Sequence, residues 1–159
     1  ARTRTDMFPF SRDASLGSWE WVRVGTSGSS PTPRWGHSAV AAGGAVYILG
    51  GDDLTDSDDD ILRDMYKLDA QARTWTRCRD APHGRCWHSA TVVGGSLSGN
   101  SDILLIFGGE TLKPGSSIRQ PLSSMLSYDP EFDIFYDAAD RGHRPSARLG
   151  HGALLHTAN

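Results

Sequence analysis

Residues 34–51 read RWGHSAVAAGGAVYILGG, and residues 85–95 read RCWHSATVVGG. The second phrase restates the first: arginine, an aromatic, histidine, serine, alanine, then a small apolar run closed by two glycines. A phrase of this length that returns within one chain marks an internal repeat, and the repeat decides the architecture before any single residue does. Aligned on Arg-x-x-His, the copies begin with Arg34 and His37, Arg85 and His88, and Arg148 and His151. The histidines are 51 and then 63 residues apart. The extra length falls in the turn around GGSLSGNSD and in the connection that follows each later Gly-Gly pair. Insertions confined to connections belong to loops on a repeated scaffold.

Working outward, each copy reads as four short strands. HSAVAA and HSATVV are small and apolar, whereas AVYIL and ILLIF are continuous apolar runs suited to strands buried on both faces. DMYKLD and SMLSYD alternate, and TWTRC and IFYDA each carry an aromatic. Met65 matches Met125, Asp69 matches Asp129, and Trp75 matches Phe135. SWEWVRV, before the first copy, looks like the aromatic end of a preceding unit, and RLGHGALL opens a third copy. Glycine and proline punctuation leaves no room for long helices. The fold class expected is all-β, with four-stranded antiparallel blades. Small residues suit innermost strands, where blades converge, and aromatics fill the wider gaps outside.

The pattern resembles the kelch repeat, whose signature is a Gly-Gly doublet followed by a spaced Tyr and a spaced Trp. Those positions are Gly50, Gly51, Tyr66 and Trp75; the second copy has Gly108 and Gly109, with Leu126 at the tyrosine position and Phe135 at the tryptophan position. The resemblance spans residues 19–155 and implies a segment of a kelch β-propeller, two full blades plus flanking strands. The division expected is an N-terminal arm over 1–18, the outer strand of a preceding blade over 19–30, repeat 1 over 31–80, repeat 2 over 81–140, and the start of repeat 3 over 141–159. Closed propellers have typically 4–8 blades. Either the chain is a portion of a longer kelch protein, or copies of itself or another chain complete the ring, or it forms an open pair of blades capped by something else; the first is favoured, because open blade faces and strand edges promote aggregation.

Composition narrows the function. The 159 residues carry a net charge of −3 and no broad basic excess, so nucleic acid is not an expected partner. No apolar run reaches membrane-spanning length. Two cysteines are too few for a disulfide framework, and no Asn-x-Ser/Thr sequon occurs; both point to a cytoplasmic setting. No nucleophile elbow, phosphate loop or zinc-protease motif appears, so catalysis and cofactors are not expected.

The candidate sites are therefore those of a protein-binding module. His37, His88 and His151 read as structural, each starting an inner strand and bonding to backbone in the adjoining blade. They lack the neighbouring acids expected of a metal site. Arg34, Arg85 and Arg148 either pair with a nearby carbonyl or acid, or ring the channel mouth, where their forked donors suit carboxylate or phosphate. In kelch domains that bind acidic peptides, arginines near this junction contribute, so the resemblance makes them partner-binding candidates. The acidic stretch Asp52, Asp53, Asp56, Asp58, Asp59 and Asp60 fails the EF-hand spacing and reads first as a solvated loop, then as a surface for a basic partner, and last as a cation site. Its counterpart in the second copy carries Lys113 and Arg119, together with Ser116, Ser117, Ser123 and Ser124 as candidate phosphate acceptors. Trp19, Trp21, Trp35 and Trp87 are expected to pack between blades rather than form a binding surface. The leading function is a protein-interaction module, an adaptor or scaffold. The alternative is a structural subunit completed by neighbouring chains, and a kelch-type oxidase or mutarotase ranks below both.

Overall fold

A computed structural model describes residues 10–13, 18–53, 61–94, 102–138 and 142–156, with side chains from residue 22 onward. The repeat resolves there into thirteen strands, with no helix among the described residues. Near the N-terminus, β1 (Phe10–Asp13) pairs antiparallel with β2 (Ser18–Trp21), and the short β3 (Ser27–Gly28) follows. The first repeat supplies β4 (Ser38–Ala42), β5 (Ala45–Asp52), β6 (Ile61–Asp69) and β7 (Thr74–Arg77). The second supplies β8 (Ser89–Val93), β9 (Ile103–Phe107), the hairpin of β10 (Glu110–Leu112) and β11 (Arg119–Pro121), then β12 (Met125–Asp129) and β13 (Ile134–Asp137). Each repeat forms an antiparallel blade in chain order, β4-β5-β6-β7 and β8-β9-β12-β13. These are the four-stranded blades expected from the repeat.

The apolar runs become second strands because a blade must be buried on both faces. Tyr47 and Leu49 point to one face of β5 and join Met65 in a cluster that crosses to Leu104, Ile106, Leu126 and Tyr128 of the second blade. Val46 and Ile48 point to the other face, against Tyr66, Leu68 and Trp75. The repeated aspartates close the hairpin between third and fourth strands. Asp69 Oδ1 accepts from the backbone N–H groups of Gln71 and Ala72 at 2.9 and 2.7 Å, and Asp129 Oδ1 from that of Glu131 at 2.9 Å. An Asx turn of this kind positions the chain to reverse, which a hydrophobic residue there would not do.

Three features depart from the sequence reading. The stretch expected as an arm contains β1, whose residues FSRD show no apolar alternation but find a ladder partner in β2, with Phe10 opposite Trp21. The first blade gains a fifth strand, because β3 runs parallel to β7 and satisfies its outer edge through Ser27 N–H to Arg73 C=O and Ser29 N–H to Trp75 C=O. The expected inner strand at RLGHGALL is not a strand: residues 151–156 have no ladder partner among the described residues. An inner strand is made by pairing with the second strand of its own blade. Leu154 consequently stands 82% exposed.

Candidate functional site

Inner strands begin where second strands end, so Arg-x-x-His and Gly-Gly meet at one end of each blade. The doublet is there because backbone crosses it closely. The ladder between β5 and β6 is irregular between Leu49 and Gly51. Gly50 has φ +60°, and a Cβ on it would lie 2.4 Å from the Arg85 carbonyl oxygen and 3.3 Å from the His88 ring. Gly108 repeats the arrangement against Arg148 and His151, at 2.6 and 2.9 Å. The second glycine of each pair then donates its N–H to the same arginine carbonyl, Gly51 to Arg85 at 3.0 Å and Gly109 to Arg148 at 2.8 Å. The leading loop of each repeat thus docks on the doublet of the repeat before it.

The histidines lock this docking through side chains. His88 Nε2 shares a hydrogen bond with Ser38 Oγ at 2.8 Å, and His151 Nε2 with Ser89 Oγ at 2.9 Å. The partner in the preceding repeat is therefore a serine hydroxyl, where a backbone group was expected. Burial, reinforced by Arg85, His37 and His151, pushes the His88 pKa down to about 3. His37 is lowered as well, by burial and then by Arg34. Among the described residues, no three His, Cys, Asp or Glu side chains are placed to hold a metal ion.

The three arginines occupy matching positions with unlike surroundings. Arg34 makes a two-pronged ion pair with Asp64 at 2.5 and 3.0 Å, donates to Gly50 C=O at 3.1 Å, and bonds Thr32 C=O and Oγ1. Its guanidinium also stands 5.5 Å from the Tyr66 ring centre. Arg85 is fully buried and donates to Gly108 C=O at 3.1 Å and Ser124 Oγ at 3.2 Å, while its Nε has no hydrogen-bond partner. Burial lowers its pKa to about 10. Arg148 bonds Ser146 C=O and Oγ, as Arg34 bonds Thr32.

Opposite charges singled out in the sequence meet each other. Arg119, on the hairpin of the second blade, reaches Asp52 of the first at 2.5 Å and Glu110 at 2.9 Å. Those two contacts hold its guanidinium well above the usual arginine range. Asp52 is buried, Asp53 follows it half-buried, and Lys113 is exposed at the hairpin turn. Asp56, Asp58, Asp59 and Asp60 lie outside the described residues.

Trp35 of the first repeat and Trp87 of the second meet across the blade junction but are not enclosed by it. They sit 37% and 40% exposed, edge to face, with ring centres 5.3 Å apart. Trp87 takes φ 57°, at the position where the other two repeats have Gly36 at 63° and Gly150 at 65°. Trp19 and Trp21 lie in β2, among residues whose side chains are not described. Sequence reasoning missed the serines at 38 and 89, the Asp64–Ser124 correspondence and the backbone of Trp87. The first two were in the alignment, as the residues after each histidine and before each methionine.

The chain matches the family model described as the KLHDC2/KLHL20/DRC7 Kelch-repeats domain over residues 6–159. It is 29% identical over 149 residues to Kelch domain-containing protein 3 of Bos taurus, covering 89% of this chain and 36% of that protein. It is 31% identical over 148 residues to Tip elongation aberrant protein 1 of Schizosaccharomyces pombe, covering 88% of this chain and 12% of that one. It is also 33% identical over 95 residues to Adagio protein 3 of Arabidopsis thaliana, covering 57% and 14%. The chain thus spans little more than a third of the bovine relative and far less of the other two. Doublets crossed by the next repeat, two four-stranded blades and a family match along nearly the whole length place this chain in the kelch-repeat family.

Proposed function

We propose that the chain is part of a longer kelch propeller that binds other proteins through the blade end carrying Trp35 and Trp87. The family supports an interaction module in general terms. The observation that carries the reading to this face is Trp87. A tryptophan in the left-handed region costs about 1–2 kcal/mol that glycine would not. The two sister repeats use glycine at that position, and the side chain held there is exposed. Large exposed aromatics are the commonest anchors of protein interfaces. Lys113, exposed on the neighbouring hairpin, and Arg148 add cationic rim contacts for an acidic partner. Arg34, Arg85, Asp52 and Arg119 serve this face from within, by fixing the loops that present it.

The far face of the second blade supports completion by further blades. Ile103, Leu105 and Phe107 are only half-buried there, and His151 approaches Phe107 with ring centres 5.4 Å apart. No helix among the described residues is long and apolar enough to cross a membrane. Cys78 and Cys86 are both free thiols, which supports action in a reducing compartment such as the cytoplasm.

Trp87→Gly in the full-length protein tests the reading, since it installs the residue of the sister repeats. Melting temperature is expected to stay level or rise. Partners recovered by affinity purification and quantitative mass spectrometry are expected to fall at least tenfold against wild type. An unchanged partner set on a folded variant overturns the assignment of this face.

A further inference from the structure

Both arginines donate to the carbonyl of the first doublet glycine, but the side chains around them differ between the blades. Arg34 has Thr32 two residues upstream, Asp64 before the methionine and Tyr66 after it; the matching residues around Arg85 are His83, Ser124 and Leu126. The two-pronged carboxylate and the aromatic face are therefore both lost at Arg85. Among the described residues no carboxylate stands within ion-pair distance of it, although the side chain is fully buried. A buried guanidinium with no carboxylate in contact is costly: Asp137 favours its charge only from beyond ion-pair distance, and one of its donors, Nε, goes unmet. What Arg85 does hold, in the place of Asp64, is a serine hydroxyl: Ser124 Oγ accepts from Nη2 at 3.2 Å.

A hydroxyl in the position of a carboxylate, against a buried arginine, becomes an anion when it carries phosphate. We infer that Ser124 is a phosphorylation site and that Arg85 receives its phosphate, restoring in the second blade the ion pair that Arg34 and Asp64 form in the first. Among the described residues no arginine bonds the side chains of Ser116, Ser117 or Ser123, the last of which is half-buried beside Ser124. Ser116 Oγ accepts from the backbone N–H of Ile118 within the hairpin turn, and Ser117 is exposed there. Phosphate oxygens and guanidinium match as forked donors and acceptors, more strongly than a neutral hydroxyl does. The inference is independent of which partner binds the tryptophan face.

In the transfer, a protein kinase moves the γ-phosphoryl group of ATP to Ser124 Oγ. The bond from the γ-phosphorus to the bridging oxygen of ADP breaks, the Oγ–P bond forms, and the hydroxyl proton passes to the kinase base. Ser124 lies at the end of the 113–124 connection, half-buried, with its carbonyl accepting from Gly108 N–H at 3.2 Å. Transfer therefore takes place while this connection is lifted from the doublet, and closure brings the phosphate onto Arg85.

Phosphoserine placed genetically at 124, and separately at 123 as a control, tests the receiver in the full-length protein. Phosphorus NMR is expected to show the phosphate at 124 titrating at least half a pH unit below the free value of about 6, and that at 123 near it. The melting temperature of the 124 form is expected to rise by roughly 3 °C or more. Equal titration at both sites, a lowered melting temperature or a chain that fails to fold with phosphate at 124 overturns the inference. Site-resolved phosphopeptide mapping of the protein from its own cells, with and without phosphatase inhibitors, tests occurrence. Phosphate at Ser124 is expected with inhibitors; Ser124 recovered only unmodified in both overturns it.

Discussion

Gly50 shows how one missing side chain sets a blade junction. Its φ of +60° and the Arg85 carbonyl 2.4 Å from a would-be Cβ exclude any other residue for two separate reasons, conformation and space. Gly50→Val is expected to destabilise by more than about 2 kcal/mol, read from urea unfolding; equal stability would place the crossing elsewhere. His88 makes a junction that depends on acidity. Its ring is held neutral in the fold, with a pKa near 3 against about 6.5 for an unfolded histidine. Below pH 6.5 the unfolded chain takes up a proton that the folded chain refuses. The contribution is thus whole above that pH and lost as pH falls towards 3. Between pH 7 and pH 5 the loss amounts to about 2 kcal/mol. The charges facing the ring, on Arg85, His37 and His151, add to burial in lowering its pKa, and the Arg85 backbone opposes them more weakly. Denaturant melts at the two pH values check this: His88→Gln, whatever its own stability, is expected to lose about 2 kcal/mol less than wild type across that interval.

At the scale of elements, the hairpin of β10 and β11 adds a polar grip on the first blade to the shared core and the Arg85–His88 loop. Arg119 reaches across from it to Asp52, which is 8% exposed, while also holding Glu110. The arginine is itself 38% exposed, so solvent screens the pair and its worth is modest. Arg119→Ala is expected to cost about 0.5–1 kcal/mol and to speed amide exchange at Gly51 and Asp52, measured by hydrogen exchange with mass spectrometry. Slowed or unchanged exchange would show that the hairpin does not tie the blades. The strands themselves were legible because their signals are redundant. β5 and β9 carry unbroken apolar runs, two glycine doublets bound them, and each pattern occurs twice. β1 was not legible, because FSRD owes its strand to a partner rather than to its own residues. β3, two residues long, owes its parallel pairing to the edge of β7 in the same way.

At the scale of the whole molecule, the sequence showed which residues recur, and the fold showed what recurrence was for. Asp52 and Arg119 read as two separate surfaces of opposite charge, since 67 residues divide them; only the packing of blade on blade brings them together. Trp35 and Trp87 read as interior because they recur, yet adjacent blades bring them to the same open end. Arg34, Arg85 and Arg148 share a position, but their environments are set by residues on other strands, so identity of motif did not carry identity of role. The core that joins the blades, from Tyr47 and Met65 to Ile106 and Tyr128, was the most readable feature, being made of the largest apolar residues in the repeated runs.

The histidine-to-serine bonds have a direction. Each is made by a histidine to a serine that comes earlier in the chain, and each glycine doublet is capped by an arginine carbonyl that comes later. A ribosome delivers these partners in that order. The last strand of the first blade ends at Arg77, so its doublet waits for Arg85 and its Ser38 for His88. At both junctions the edge left open by one repeat is therefore closed by residues that the ribosome delivers next. Between these repeats growth proceeds like a zip, each exposed edge lasting only until the head of the following repeat emerges.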